Sequence, residues 1–319
     1  MKIGILVNPS AGQGKNAHAV IRRIEQSWPD HELYTIDGPG GASFERAERL
    51  PQPQGGYVDR LYSSVELLLS AGAELLISLG GDGTAAYVAE ALNQSKKHVP
   101  ILGIGLGTAN VGPIVTLNAD DSIPPVESLS IEAAGGVAVF TGGRRIGAGY
   151  NDVVLGNTYL ATISEEAVTA DGQALLQNGD VRPAKPLSNV FTSETRICKN
   201  GRLLPVSLPE VGQVIAAPIE KDSLYGRTVH GILCYAPDSP MQGALTLSAR
   251  SLVSYEPDDR GFDAFAPEER LLFSADDTIT ITGLAPSVLA VCDGNPLKIV
   301  DGSVTLQYIP QDVLIAKRR

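Results

Sequence analysis

The sequence predicts an α/β domain with a parallel sheet in its N-terminal part, followed by an all-β sandwich domain. Three observations predict this. Short apolar runs that end in glycine-containing loops and lead into helical stretches recur up to about residue 120. Beyond that point the texture changes to short strand-like runs separated by turn residues, with few helices. The chain has 319 residues of which 43% are apolar, enough for two domains that each bury a core.

In order along the chain, Ile3 to Val7 is an apolar strand that ends at Asn8-Pro9, and a helix follows from about Asn16 to Trp28. Leu33 to Ile36 reads as a strand, Pro51 to Gly56 as a loop, and Val58 to Ala71 as a helix with apolar residues at 58, 61, 65, 68 and 69. Leu75 to Leu79 is a buried strand, Gly80 to Thr84 the turn after it, and Ala85 to Leu92 a helix. Ile101 to Ile104 is the next strand, followed by the turn Gly105 to Thr108. Strand, turn and helix repeated in this way imply right-handed crossovers and a parallel sheet covered on both faces. Strands are then expected at 136–148, 150–163, 189–207, 211–218, 229–235, 244–254, 270–282, 287–293 and 304–315. Helices are expected only at Asp120–Leu129 and Ser164–Gln177. The implied division is 1–120, then 121–303, with 304–319 a strand that returns to the N-terminal domain.

Composition removes several function classes. With 25 Lys+Arg against 36 Asp+Glu the formal net charge is −11. Such a balance disfavours nucleic acid and anionic lipid surfaces as partners, because both call for clustered cations. No signal peptide and no run of about 20 apolar residues is present, so no membrane is expected. Three scattered cysteines (Cys198, Cys234, Cys292) and four scattered histidines match no zinc or disulfide pattern. The simplest expectation is a reduced, cytoplasmic protein.

Glycine is unusually frequent, 34 residues, and it concentrates in three loops at strand ends: Asn8–Gly14, Gly80–Thr84 and Gly105–Asn110. In doubly wound sheets ligands bind at the carboxyl ends of strands, where such loops point N–H groups at phosphate. The first loop contains Gly12-Gln13-Gly14-Lys15 but fails both the P-loop and the dinucleotide glycine patterns, with Asn16 and Ala17 at the deciding positions. The second sets Asp82 between glycines directly after an apolar strand. A carboxylate there suits Mg²⁺ or the proton of an attacking hydroxyl, and equally a turn held by backbone N–H groups.

Leu79-Gly80-Gly81-Asp82-Gly83-Thr84 resembles the GGDGT signature of the NAD kinases and the diacylglycerol/sphingolipid kinases. Three further segments match in order: Ile5–Gly12 resembles the opening strand and NPxxG loop, Gly103–Asn110 the G-x-P-x-GT-x-N segment, and Asp293-Gly294-Asn295 the late DG[QE] turn. Tyr150–Leu155 resembles the NE motif of NAD kinases, with Asp152 in place of Glu. The resemblance implies a Rossmann-like nucleotide domain, a β-domain, and a kinase site in the cleft between them. It makes Asp82 the catalytic or metal-organising acid. Asn8, Gly80, Gly81, Gly83, Thr84, Gly107, Thr108 and Asn110 would bind nucleotide; Asn151, Asp152 and Asp293 would bind substrate. ATP and Mg²⁺ would be required, with NAD or NADP as substrate or ligand, and a homo-oligomer (dimer or tetramer) is implied. Asp293-Gly294 also has the composition of a two-residue hairpin turn. Lys15, Arg22, Arg144, Arg145, Lys185 and Arg227 are the basic residues available as phosphate clamps. The PTGSTAY-like motif of NAD kinases is not found around Val214–Arg227, so the pattern is more similar to a divergent branch that includes the acetoin-catabolism protein X family. That branch leaves a non-catalytic nucleotide-binding role open, and a lipid kinase is the third alternative.

Overall fold

The computed structural model describes residues 1–9, 11, 16–106, 110–163, 166–219, 240–255 and 265–319. They divide into two compact units, Met1–Ala134 with Gln311–Arg319, and Gly135–Pro310.

The first unit contains β1 (Lys2–Val7), α1 (Ala17–Ser27), β2 (Glu32–Ile36), β3 (Glu48–Leu50), α2 (Tyr57–Ser70), β4 (Leu75–Gly80), α3 (Asp82–Ser95), β5 (Ile101–Gly105) and β6 (Val115–Asn118). Every pairing among these strands is parallel, in the order β3-β2-β1-β4-β5-β6. Successive residues of β4 face opposite sides of the sheet, and all six are buried. Leu75, Ile77 and Leu79 pack with Ile3, Ile5 and the Val20, Ile21 and Ile24 stripe of α1. Gly4 faces the other way, where a Cβ would meet Leu76, Leu68 of α2 and Ala73 at 2.8–3.2 Å, so glycine here permits close helix packing. From β1 the chain goes outward through β2 and β3, then returns to place β4 on β1's other side. The gap between β1 and β4 is therefore the point where strand order reverses.

The second unit holds most of β7 (Leu129–Thr141), then β8 (Arg144–Gly149), β9 (Val153–Gly156), β10 (Thr158–Ile163), β11 (Glu166–Asp171), α4 (Gly172–Asn178), β12 (Phe191–Lys199) and β13 (Arg202–Leu204). It continues with β14 (Gln213–Pro218), β15 (Gly243–Ser248), β16 (Glu268–Phe273), β17 (Thr278–Leu284), β18 (Leu289–Cys292), β19 (Asn295–Lys298) and the start of β20 (Val304–Arg318). One antiparallel sheet runs β16-β15-β14-β9-β18-β19, and a second pairs β13-β12-β17-β20. Val153, Leu155, Val214, Ala216 and Leu245 of the first sheet share one core with Ile197, Ile279, Ile281, Val304 and Leu306 of the second. This is the sandwich that the strand-rich texture predicts. The end of β20 lies in the first unit, where Ile315 pairs in parallel with Ile101 of β5.

Two expected helices are corrected. Asp120–Leu129 contains only a short 3₁₀ turn, Val126–Ser128, before β7. Pro124-Pro125 is the reason: proline supplies no N–H and keeps its predecessor out of the α region. Of the expected helix Ser164–Gln177, the described residues from Glu166 onward form instead β11, whose Ala167 to Ala170 pair with β10, and the short helix α4. Asp171 sets that boundary by accepting bonds from the N–H groups of Gln173 and Ala174, a capping arrangement. The expected strand at 229–235 lies outside the described residues. No described helix is long and apolar enough to cross a membrane.

Candidate functional site

Three loops at the carboxyl ends of β1, β4 and β5 are stitched together by main-chain bonds. Asn8 N–H donates to the Leu79 carbonyl at 2.8 Å, and Leu106 N–H to the Gly80 carbonyl at 2.8 Å. The Asn8 side chain crosses the strand-order reversal to donate from Nδ2 to Thr84 Oγ1 at 2.9 Å, and lies 3.5 Å from the Tyr57 hydroxyl. Gly80 has to be glycine, because a Cβ would sit 2.8 Å from Thr84 Cβ. At Gly105 a Cβ would fall 2.2 Å from the Asn110 amide nitrogen, so Asn110 lies against the bare backbone of β5.

Asp82 is the first residue of α3, not part of a longer turn, and Gly81 precedes it in extended conformation as the N-cap. The positive end of this 14-residue helix favours negative charge at its first turn. Asp82 Oδ2 accepts N–H bonds from Val111 at 2.8 Å and Gly112 at 3.1 Å. Those two donors fix the carboxylate from 29 and 30 residues away, and no sequence pattern signals them. Gly80, Gly81, Gly83, Thr84, Asn8 and Asn110 are thus brought to one place with Asp82. Gly107 and Thr108 lie outside the described residues, as do Lys15 and Arg227.

Beside this cluster a cavity of about 250 Å³ is lined by Asn8, Asp37, Gln52, Tyr57, Arg60 and Thr84, among others. Sequence reading missed Tyr57 and Arg60, since the first turn of an ordinary amphipathic helix carries no signal of its own. Tyr57 makes an edge contact with Tyr87, ring centroids 6.1 Å apart. Although Tyr57 is 47% exposed as a residue, shielding of its phenol pushes that group's pKa upward, against the downward pulls of Thr84 and Arg60.

The second unit has its own cluster. Asn151 and Asp152, both buried, form the turn between β8 and β9. Asp293 and Gly294 form the two-residue turn between β18 and β19, with φ of +47° and +81° and the flanking pair Cys292–Asn295 in register. The Asp293 carboxylate accepts from the N–H groups of Tyr150, Asn151 and Asp152 at 2.8–3.0 Å. Asn151, Asp152 and Asp293 are therefore contiguous. Arg144 and Arg145 follow the tight Gly142-Gly143 turn at a hairpin tip, where Arg144 is exposed.

Among the described residues no group of three or more His, Cys, Asp or Glu side chains is arranged to hold a metal by itself. The donors in the first unit are a carboxylate, an amide and a hydroxyl, all hard. That set fits Mg²⁺, which commonly takes one or two carboxylates together with substrate phosphate oxygens and water.

Residues 3–120 match the family model of the ATP-NAD kinase N-terminal domain. An uncharacterized protein of Archaeoglobus fulgidus is 26% identical over 314 residues, covering 96% of this chain and 95% of that one. A Methanosarcina barkeri NAD kinase is 28% identical over 167 residues, 51% of this chain and 58% of the kinase. Among solved structures, a putative diacylglycerol kinase from Bacillus anthracis superposes with a TM-score of 0.58 at 12% identity, covering 99% of this chain and 97% of that one.

Proposed function

We propose that this chain, whose residues 3–120 match the ATP-NAD kinase N-terminal domain, is an ATP-dependent phosphotransferase acting on a hydroxyl of NAD or a related nucleotide. The observation that carries this reading is the placement of Asp82. A carboxylate is held by two main-chain N–H groups at a helix N-terminus, beside the Asn8–Thr84 bridge. Phosphoryl transfer asks little covalent chemistry of a protein and much positioning and charge compensation. N–H groups of the first turn of α3, with the Thr84 hydroxyl and the Asn8 amide, would receive phosphate oxygens. The adjoining cavity would take the nucleoside part of the donor. Asp82 would order the reacting phosphate and accept the proton of the attacking hydroxyl. Mg²⁺, when bound, supplies compensation for the charge that develops on the phosphate oxygens. Asn151 and Asp152 would hold polar groups of the acceptor, in keeping with their resemblance to the NE pair.

Purified protein incubated with γ-labelled ATP, Mg²⁺ and either NAD, NADH or simple diols tests the reading. Label is expected on the NAD-type acceptors, with turnover in Asp82→Asn lower by a factor on the order of 10²–10³. Equal turnover in both proteins would remove Asp82 from the chemistry. Nucleotide-induced thermal stabilisation without any label transfer would point to an accessory role of the acetoin-catabolism type.

A further inference from the structure

We propose that Asp293 is a positioning residue: its carboxylate ties down the Tyr150–Asp152 backbone and thereby sets where Asn151 and Asp152 present their side chains. The presenting role rests on the kinase reading above, whereas the tie stands on geometry. Asp293 Oδ2 accepts from Tyr150 N–H at 2.9 Å, and Oδ1 accepts from Asn151 N–H at 2.8 Å and Asp152 N–H at 3.0 Å. The Asp293 N–H returns a bond to the Asp152 carbonyl at 3.1 Å. Three successive N–H groups pointing at one place form a concavity suited to an anion, and here the protein's own carboxylate fills it.

The sheet brings the two turns together. Cys292 pairs with Val153, so Asp293 leaves the end of β18 directly beside the residue that enters β9. The Gly149–Asp152 turn is too tight for any side chain at its first position, since a Cβ on Gly149 would lie 2.1 Å from the Asp152 carbonyl oxygen. Asp293 is only 9% exposed, and its carboxylate accepts from three successive backbone donors. This is the disposition of a group that acts on its neighbours' backbone.

The test compares wild type, Asp293→Asn and Asp293→Ala in amide hydrogen exchange without nucleotide, and then in nucleotide KM and kcat. An amide can turn its single oxygen to the two-donor side, so asparagine should keep the Asn151 and Asp152 bonds and release Tyr150. In the alanine variant the amides of Tyr150, Asn151 and Asp152 should all exchange at least about tenfold faster, and acceptor KM should rise with the asparagine variant intermediate. Adding Asn151→Ala to Asp293→Ala should raise KM less than the product of the two single effects. Unchanged exchange at the three amides in Asp293→Ala would overturn the proposal. So would an asparagine variant that matches alanine in KM while its three amides stay protected, since that pattern marks direct contact with substrate. Should alanine fail to fold, the asparagine variant and Asp293→Ser carry the same comparison. If Asn151→Ala and Asp152→Ala leave KM and kcat untouched while label transfer persists, the presenting role is overturned. Absence of any transfer in wild type would instead reject the kinase reading, and the exchange experiment would still judge the tie.

Discussion

Asp82 and Asp293 are both gripped by main-chain N–H groups, but in opposite kinds of structure. Asp82 opens a 14-residue helix in a parallel sheet, takes two N–H bonds from a distant loop, and is only partly buried. Asp293 sits in a two-residue hairpin turn, takes three N–H bonds from one short segment, and is buried. The same bond therefore serves two ends. Where a helix terminus and small residues surround the carboxylate, it is turned toward a ligand in the proposed kinase reading; where sheet strands close around it, it holds the protein's own backbone.

The glycines beside the two acids offer the sharpest way to break this contrast. Gly149→Ala forces a Cβ into the Asp152 carbonyl and should cost about 1–3 kcal/mol of stability, read as a fall in Tm. Gly81→Ala meets only Asn110 Oδ1, at 3.9 Å, and should leave stability within roughly 0.5 kcal/mol while lowering turnover by crowding the phosphate approach. Equal thermal effects at both positions would remove the distinction. Next in size, Thr84→Val removes the acceptor of the 2.9 Å Asn8 bond and should raise the ATP KM about fivefold to tenfold, without shifting the KM of the acceptor.

How far this contrast is visible before folding differs between the units. The strands β1, β4 and β5 and their glycine loops are legible because they are continuous apolar runs buried on both faces, punctuated by residues that close packing demands. Asp82 is legible for the same reason. Its two N–H donors are not, because Val111 and Gly112 act through their backbone. In the second unit the Asp293-Gly294 turn is readable from composition, but its bonds to residues 141–143 positions earlier depend on which strands pair. The two misread helices failed through local chemistry: a proline pair in one, and in the other a β-branched Val168-Thr169 stretch followed by a capping aspartate.

Smaller effects mark acids that only stabilise. Burial pushes the Asp277 carboxyl up, but Ser274 N–H, Lys199, Asn200 and the Ser274 hydroxyl hold it well below its ordinary value of 3.8. Below that ordinary value the unfolded chain takes up the proton and the folded one does not, so this stabilisation is present above it and lost as pH falls. Asp277→Asn should give a shallower loss of stability in acid titrations monitored by circular dichroism, with activity at neutral pH unchanged. Lys317→Ala breaks a surface pair with Glu132 and should cost no more than about 1 kcal/mol.

The most direct measurement is a crystal structure of the protein with Mg²⁺ and a non-hydrolysable ATP analogue. The account predicts the terminal phosphate at the first turn of α3, with Asp82 facing the metal or that phosphate and the Asn8–Thr84 bridge alongside. A nucleotide bound with its phosphates away from Asp82 would contradict it.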